Sequence, residues 1–229
     1  MRVLAIDTSS EIGAVALVED GALRASVQVR VQHQHGETLL PHVDRVLSLG
    51  GASIAGLDLL AVGLGPGSFT GVRIGVATVK GLALAHGTPM LGVRTSRVLA
   101  RAASGEVRFV AIDAKKGEVF VAAYRADHDG TLEPLLEDLH GGPEEVAARL
   151  RAIARPPGPA SIVGTAVSAH RATFEHHLAG VLLLPEVLAA PNAALLALEA
   201  VEAHRARGAD DPSALVPIYV RGADAKLPV

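Results

Sequence analysis

The chain has 229 residues, enough for one large domain or two small ones sharing a cleft; 49% are apolar, yet with four Phe, two Tyr and no Trp the core has to be built from Ala, Val, Leu and Ile. No Cys is present, which removes disulfides and thiolate chemistry, and no apolar run reaches the roughly 18–20 residues that span a bilayer. A formal charge of −3 lacks the basic excess that phosphate neutralisation asks of a generic nucleic-acid binder, so a role near RNA calls for a partner that makes the main contacts.

The opening residues meet a charge at Asp7, too early for the apolar core of a signal peptide, and a cytoplasmic location is expected. Residues 3–6 form a short buried strand that stops at Asp7-Thr8-Ser9-Ser10, a turn signal. A second strand covers 13–18, Asp20-Gly21 closes a hairpin, and a third strand runs over 23–31. Leu39, Leu40, Val43, Val46 and Leu47 recur at helical spacing over 37–49, and Gly50-Gly51 ends that helix. A buried strand over 57–64, the loop 65–68, a long helix to about residue 86 and a strand over 90–93 follow. Three meandering strands, then helix, strand, helix, strand, is the order of the ribonuclease H-like unit that actin-type folds use twice.

A second copy is visible. Moving Ala5-Ile6-Asp7 onto Ala111-Ile112-Asp113, a shift of 106, also sets Val15-Ala16 on Val121-Ala122 without a gap. Further on, residues 141–145 start a helix, 155–159 make a Pro-rich loop, 161–164 a short strand, 192–205 an Ala/Leu helix and 215–220 an extended piece. Charge and Ser-Gly interrupt the pattern at 102–105, which divides the chain into lobes 1–103 and 104–229.

Several segments have residue types that carry chemistry. In actin-type phosphotransferases the first strand delivers an acid towards a metal-bound water, and the next loop holds phosphate. Asp7, Thr8 and Ser9 suit that role and equally suit a side-chain-capped turn. Asp113 occupies the matching place in the second copy, followed by Ala114-Lys115-Lys116 in place of hydroxyls. The loop Gly65-Pro66-Gly67-Ser68-Phe69-Thr70-Gly71 lies between strand and helix, but it is neither a Walker loop nor a dinucleotide fingerprint.

In the helix after it, Gly71, Gly75 and Thr78 share one stripe and Ala77, Gly81 and Ala85 another, while Val72, Ile74, Val76 and Val79 fill most of the rest. Such a helix is buried all round, either within one chain or between a sheet and another subunit. His33, His35 and His42 cluster without a third ligand at a convincing spacing, and His176-His177 point to opposite sides of a helix. No Ser-His-Asp order supports a hydrolase. Arg94, Arg97 and Arg101 form a basic stripe, read as a solvated helix face.

Taken together, Leu4-Ala5-Ile6-Asp7-Thr8-Ser9, His35-Gly36-Glu37-Thr38-Leu39-Leu40-Pro41, the block from Gly63 to Gly75 containing Gly-Pro-Gly-Ser-Phe-Thr-Gly, Lys80-Gly81-Leu82-Ala83, Ala111-Ile112-Asp113-Ala114-Lys115-Lys116-Gly117-Glu118 and Pro217-Ile218-Tyr219-Val220-Arg221 resemble the TsaB family, also called YeaZ. The resemblance implies an actin-like (ASKHA) fold of two ribonuclease H-like lobes. It implies a non-catalytic role in forming N6-threonylcarbamoyladenosine at position 37 of tRNA. Partners in that family are a catalytic TsaD-type paralogue, a small TsaE-type P-loop ATPase and, for the subunit alone, a second copy. ATP is used by the assembled complex, no cofactor is expected on this chain alone, and Asp7, Thr8 and Ser9 become a vestigial nucleotide site. The paralogue carries His-x-x-x-His after the strand equivalent to 90–93, where this chain has no His between 87 and 127, so no metal is expected. A largely helical pairing surface assigns Leu39, Leu40, Val43, Gly71, Arg73, Gly75, Thr78, Val79, Gly81 and Leu82 to the subunit interface. The rival expectation is a stand-alone actin-like ATPase or phosphotransferase using Asp7, Thr8, Ser9 and Asp113.

Overall fold

The computed structural model describes residues 1–31, 35–153 and 158–221. Its strands are β1 (Arg2–Asp7), β2 (Ile12–Glu19), β3 (Ala22–Arg30), β4 (Leu59–Gly63), β5 (Met90–Val93), β6 (Val107–Asp113), β7 (Val119–Ala126), β8 (Leu132–Gly141), β9 (Ala160–Val163) and β10 (Leu182–Leu183). The helices are α1 (His35–Gly50), α2 (Phe69–His86), α3 (Thr95–Ala102), α4 (Pro143–Ile153), α5 (Ala166–Ala169), α6 (Arg171–His177) and α7 (Ala193–Arg207). None of them is long and apolar enough to cross a membrane.

Local chemistry accounts for the turns. Asp20 and Gly21 both have positive φ, 52° and 80°, as a two-residue hairpin matched to strand twist requires, and Glu19 pairs with Ala22 across it. Ser68 caps α2 by accepting from the Gly71 N–H, and Gly87 at φ 66° closes its other end. Asn192 caps α7 through the amides of Ala194 and Leu195.

The first sheet has the order β3-β2-β1-β4-β5 and the second, read from the equivalent edge, β8-β7-β6-β9-β10. In each, the first strand is antiparallel to the second and parallel to the fourth. This is the expected pair of ribonuclease H-like units in an actin-like arrangement.

The repeat is real, but the shift of 106 is right for only part of it. Leu4 and Ile6 of β1, like Val15 and Leu17 of β2, face α1 and α2. Their counterparts facing α4–α6 are Phe109 and Ala111 of β6 with Val119 and Val121 of β7. The shift therefore keeps β2 and β7 in phase, yet it sets Ile6 on Ile112, which faces the other way. Asp7 pairs with Ala14, whereas Asp113 pairs with Val119, so the second hairpin is one residue shorter. A one-residue slip exchanges the faces of a strand. The true counterpart of Asp7 is Ile112, and Asp113 corresponds to Thr8.

The last helix of each half crosses to the other sheet. α3 follows β5 of the first sheet but packs Leu99, Ala100 and Ala103 against Val110, Ile112 and Phe120 of the second. α7 follows the second sheet but packs Ala193, Leu196, Ala197 and Ala200 onto Val3, Ala5, Ala14 and Ala16 of the first. The sequence division at 103/104 falls between the two sheets, while α7 and Leu215 return to the first and Val220 and Arg221 meet the second.

Arg97 and Arg101 of α3 both bond to Glu199 of α7, which is 2% exposed, and Arg97 also donates to Leu132 O at 2.8 Å. Arg94 pairs with Asp138 at 2.6 Å. Arg97 and Arg101 therefore clasp the two exchanged helices and Arg94 ties the start of α3 to β8; the stripe is not the solvated face expected, because its counter-charges lie 44 to 102 positions away.

Candidate functional site

Asp7 ends β1 at the head of the cleft between the sheets and is fully buried. Its Oδ1 accepts from the Ser9 amide at 2.8 Å, and Thr95 Oγ1 points to Oδ2 at 3.4 Å. Burial pushes the Asp7 carboxyl above the ordinary aspartate value, against the opposing pull of the Ser9 and Thr95 hydrogen bonds and the nearby His35. The capped turn foreseen from residue types is thus present. Asp113 makes the same turn with the Lys115 amide at 2.7 Å, and Lys115 Nζ stands 3.0 Å from its Oδ2. There burial acts upward, but the Lys115 contacts hold Asp113 below its usual value.

The loop after Asp7 is engaged inside the chain. Thr8 Oγ1 donates to Gly71 O at 2.7 Å, and Ser68 N donates to Ser9 O at 2.6 Å. The space left by two glycines of α2 admits this loop: a Cβ on Gly71 would stand 2.0 Å from Thr8 O, and one on Gly75 would stand 2.4 Å from Thr8 Oγ1. Below Asp7, the cleft closes to a cavity of about 20 Å³ between Asp7, Ser9 and Thr95 on one side and Ile112 and Thr165 on the other. That is room for about one water, against the roughly 300–1,000 Å³ typical of small-molecule sites.

This geometry divides the expected interface residues. Leu39, Val43 and Val79 belong to the core, and Gly71 and Gly75 are buried against Thr8. All five face inward within the chain: Leu39, Val43 and Val79 pack in the core of the first sheet, and the β1–β2 loop fills the groove left at Gly71 and Gly75. Leu40, Arg73 and Gly81 are exposed, and Thr78 and Leu82 are half-buried. No atom stands within 4 Å of a Cβ added to Gly81.

The outward stripe of α2 is Phe69, Arg73, Ala77, Gly81 and Leu84, with Phe69 54% and Leu84 88% exposed. It is apolar except for Arg73. Sequence reasoning missed Phe69, Leu84 and Tyr219 there; the three- and four-residue spacing of Phe69, Arg73, Ala77, Gly81 and Leu84 was the available signal.

His35 is buried, with Nε2 2.8 Å from Ser10 O, so it braces the loop. His33 lies outside the described residues. Among the described residues no group of three His, Asp or Glu is placed to hold a metal ion. His177 bonds to Glu144 at 2.6 Å at the surface.

Residues 28–228 match the model of the TsaD family, tRNA N6-adenosine threonylcarbamoyltransferase. The tRNA threonylcarbamoyladenosine biosynthesis protein TsaB of Escherichia coli is 44% identical over 134 residues, 57% of this chain and 58% of its own. The chain thus spans little more than half the length of the first TsaB relatives it matches. An uncharacterized protein of Mycobacterium tuberculosis is 32% identical over 98% of this chain and 93% of its own. Among solved structures, YeaZ from Pseudomonas aeruginosa superposes with a TM-score of 0.82 at 30% identity, covering 95% of this chain and 99% of that one.

Proposed function

This chain belongs to the TsaB (YeaZ) family, and from that premise we propose that it is the non-catalytic partner subunit of the complex that forms N6-threonylcarbamoyladenosine at position 37 of tRNA. One contrast carries the proposal. The strand-end acid is sealed beside a cleft that holds about one water, whereas an apolar helix face stands open to solvent with Leu84 88% exposed. A nucleotide-using actin-like enzyme needs an accessible acid and an open cleft.

The matched family model carries a transferase name, so the catalytic position needs a specific test. In the paralogue the metal-binding histidines follow the strand equivalent to β5. Here that stretch is α3, whose Thr95 bonds to Gly65 and Asp7 and whose Arg97 and Arg101 clasp Glu199. Threonine and ion-paired arginines are not metal ligands, which supports a scaffold role. The subunit then works in the cytoplasm, pairs with a TsaD-type catalytic subunit through the outward face of α2 and the neighbouring Leu40, and receives a TsaE-type ATPase on the assembled pair. Alone it forms a homodimer, binds no ATP of its own, and meets tRNA only through the complex.

Reconstitution tests this. Modification of tRNA is measured with the catalytic subunit, the ATPase and the threonylcarbamoyl donor, with and without this chain. The expected result is turnover only when it is present, and none from it alone. Equal turnover in its absence, or modification by the isolated chain, refutes the proposal.

A further inference from the structure

Arg73 is the one charge on the outward stripe of α2, and it is held in place before any partner arrives. Its guanidinium carbon lies 3.6 Å above the Phe69 ring centroid and 5.4 Å from that of Tyr219. Its Nε donates to Tyr219 Oη at 2.8 Å, and the two rings stand 5.6 Å apart. Tyr219 is brought there by the C-terminal segment, which is fastened by Leu215 in the core and by the Ile218 amide on Leu64 O at 2.8 Å. Among the described residues no carboxylate pairs with Arg73, and its two terminal nitrogens stay open.

We propose, resting on the reading above, that Arg73 is a preorganised anchor for a carboxylate of the catalytic-type subunit. Three properties converge on that ligand. A stacked guanidinium has already lost most of its rotamer freedom, so docking orders little more. Its planar pair of Nη groups matches a carboxylate bidentately. Its surroundings are apolar, so a partner that covered it without bringing a negative charge would bury an uncompensated cation, which is strongly unfavourable. Arginine and tyrosine held together within an apolar patch are also the residue types that dominate binding energy.

Charge on α2 itself favours a different subunit over a second copy, the exposed acids Glu37 and Asp44 lying on α1. α2 carries Arg73, Lys80 and His86 and no Asp or Glu. Two copies of α2 packed on each other about a two-fold axis therefore leave both guanidinium groups without a counter-charge from that helix. A heterologous partner has no such constraint.

The test measures affinity of the full chain for the catalytic-type subunit by calorimetry, with self-association followed by sedimentation. Arg73→Glu should weaken the heterocomplex roughly 100-fold. Arg73→Lys should weaken it about tenfold, since an ammonium lacks the planar fork. Arg73→Gln, neutral and helix-compatible, replaces the reversal if that disturbs folding, which circular dichroism checks. Gly81→Leu, at a position with open space, blocks any partner that uses this face. If Arg73→Glu and Arg73→Gln bind like wild type while Gly81→Leu does not, the anchor is wrong and the docking face stands. If Gly81→Leu also binds normally, the docking face itself is wrong. Loss of self-association with unchanged heterocomplex affinity assigns the carboxylate to a second copy and overturns the proposal.

Discussion

Alanine at Gly71 and alanine at Gly81 should move stability in opposite directions, although both are glycines within α2. At Gly71 the new Cβ would stand 2.0 Å from the Thr8 carbonyl oxygen and 3.2 Å from its carbon. A backbone oxygen cannot rotate away, so the β1–β2 loop would have to withdraw by more than an ångström. Asp7, Thr8 and Ser9 are 0%, 1% and 4% exposed, so that shift has to displace packed neighbours. It would also stretch the Thr8–Gly71 and Ser68–Ser9 hydrogen bonds. Overpacking costs about 1–3 kcal/mol, and a weakened buried hydrogen bond about 1 kcal/mol more. The helical advantage of Ala over Gly returns at most about 1 kcal/mol. A net loss of about 1–3 kcal/mol follows. At Gly81 nothing opposes the methyl group, and the same helical advantage gives a gain of about 0.5–1 kcal/mol. Melting temperatures of the two variants should differ by about 3–16 °C, at roughly 2–4 °C per kcal/mol for a chain of this size. Urea unfolding followed by circular dichroism measures both. A Gly71→Ala chain as stable as wild type would refute the internal role of this stripe, and a destabilised Gly81→Ala would refute the openness of the other.

Two further outcomes follow from buried charge. Glu199→Gln removes the buried acid that Arg97 and Arg101 share, while Arg101 keeps Glu202 of α7; because both arginines retain some solvent contact and one retains a partner, the loss should be about 2–3 kcal/mol, below the full cost of breaking a buried pair, and an unchanged urea midpoint would contradict the clasp. Asp7 has a folded-state pKa raised chiefly by burial, so the folded chain holds this proton more tightly than the unfolded chain. Its contribution to stability is greatest below the ordinary aspartate value and is lost as pH rises through the folded pKa. Asp7→Asn should therefore be more stable than wild type at pH 7.5, with the advantage shrinking towards pH 4; a variant less stable at pH 7.5 would show that the carboxylate is needed charged.

The first lobe was largely legible because its signals are local. β1 to β5, α1 and α2 lie on long runs with helical or buried-strand spacing, and the Asp20-Gly21 turn has a defined geometry. β8 went unread. It is a ten-residue edge strand containing Pro134 and three acids, it pairs with β7 through register shifts, and its burial does not alternate. The candidate site was legible in part. Asp7, Thr8 and Ser9 were found as a turn. The outward face of α2 was found through Gly81 and Arg73 but mixed with residues that face inward, and Tyr219 reaches that face from 146 positions away.

From its sequence alone this chain determines which segments of its first half are helix or strand, that its second half repeats the first, and that α2 must stay narrow. A periodic pattern says that a face is covered; it does not say by what. Only the tertiary structure decided that the Gly71–Gly75 stripe receives the β1–β2 loop while the Gly81 stripe is open, that Ile112 rather than Asp113 answers Asp7, and that α3 and α7 exchange sheets. Each depends on contacts between residues distant in the chain, where a one-residue difference in hairpin length or the partner of a buried charge leaves no local trace.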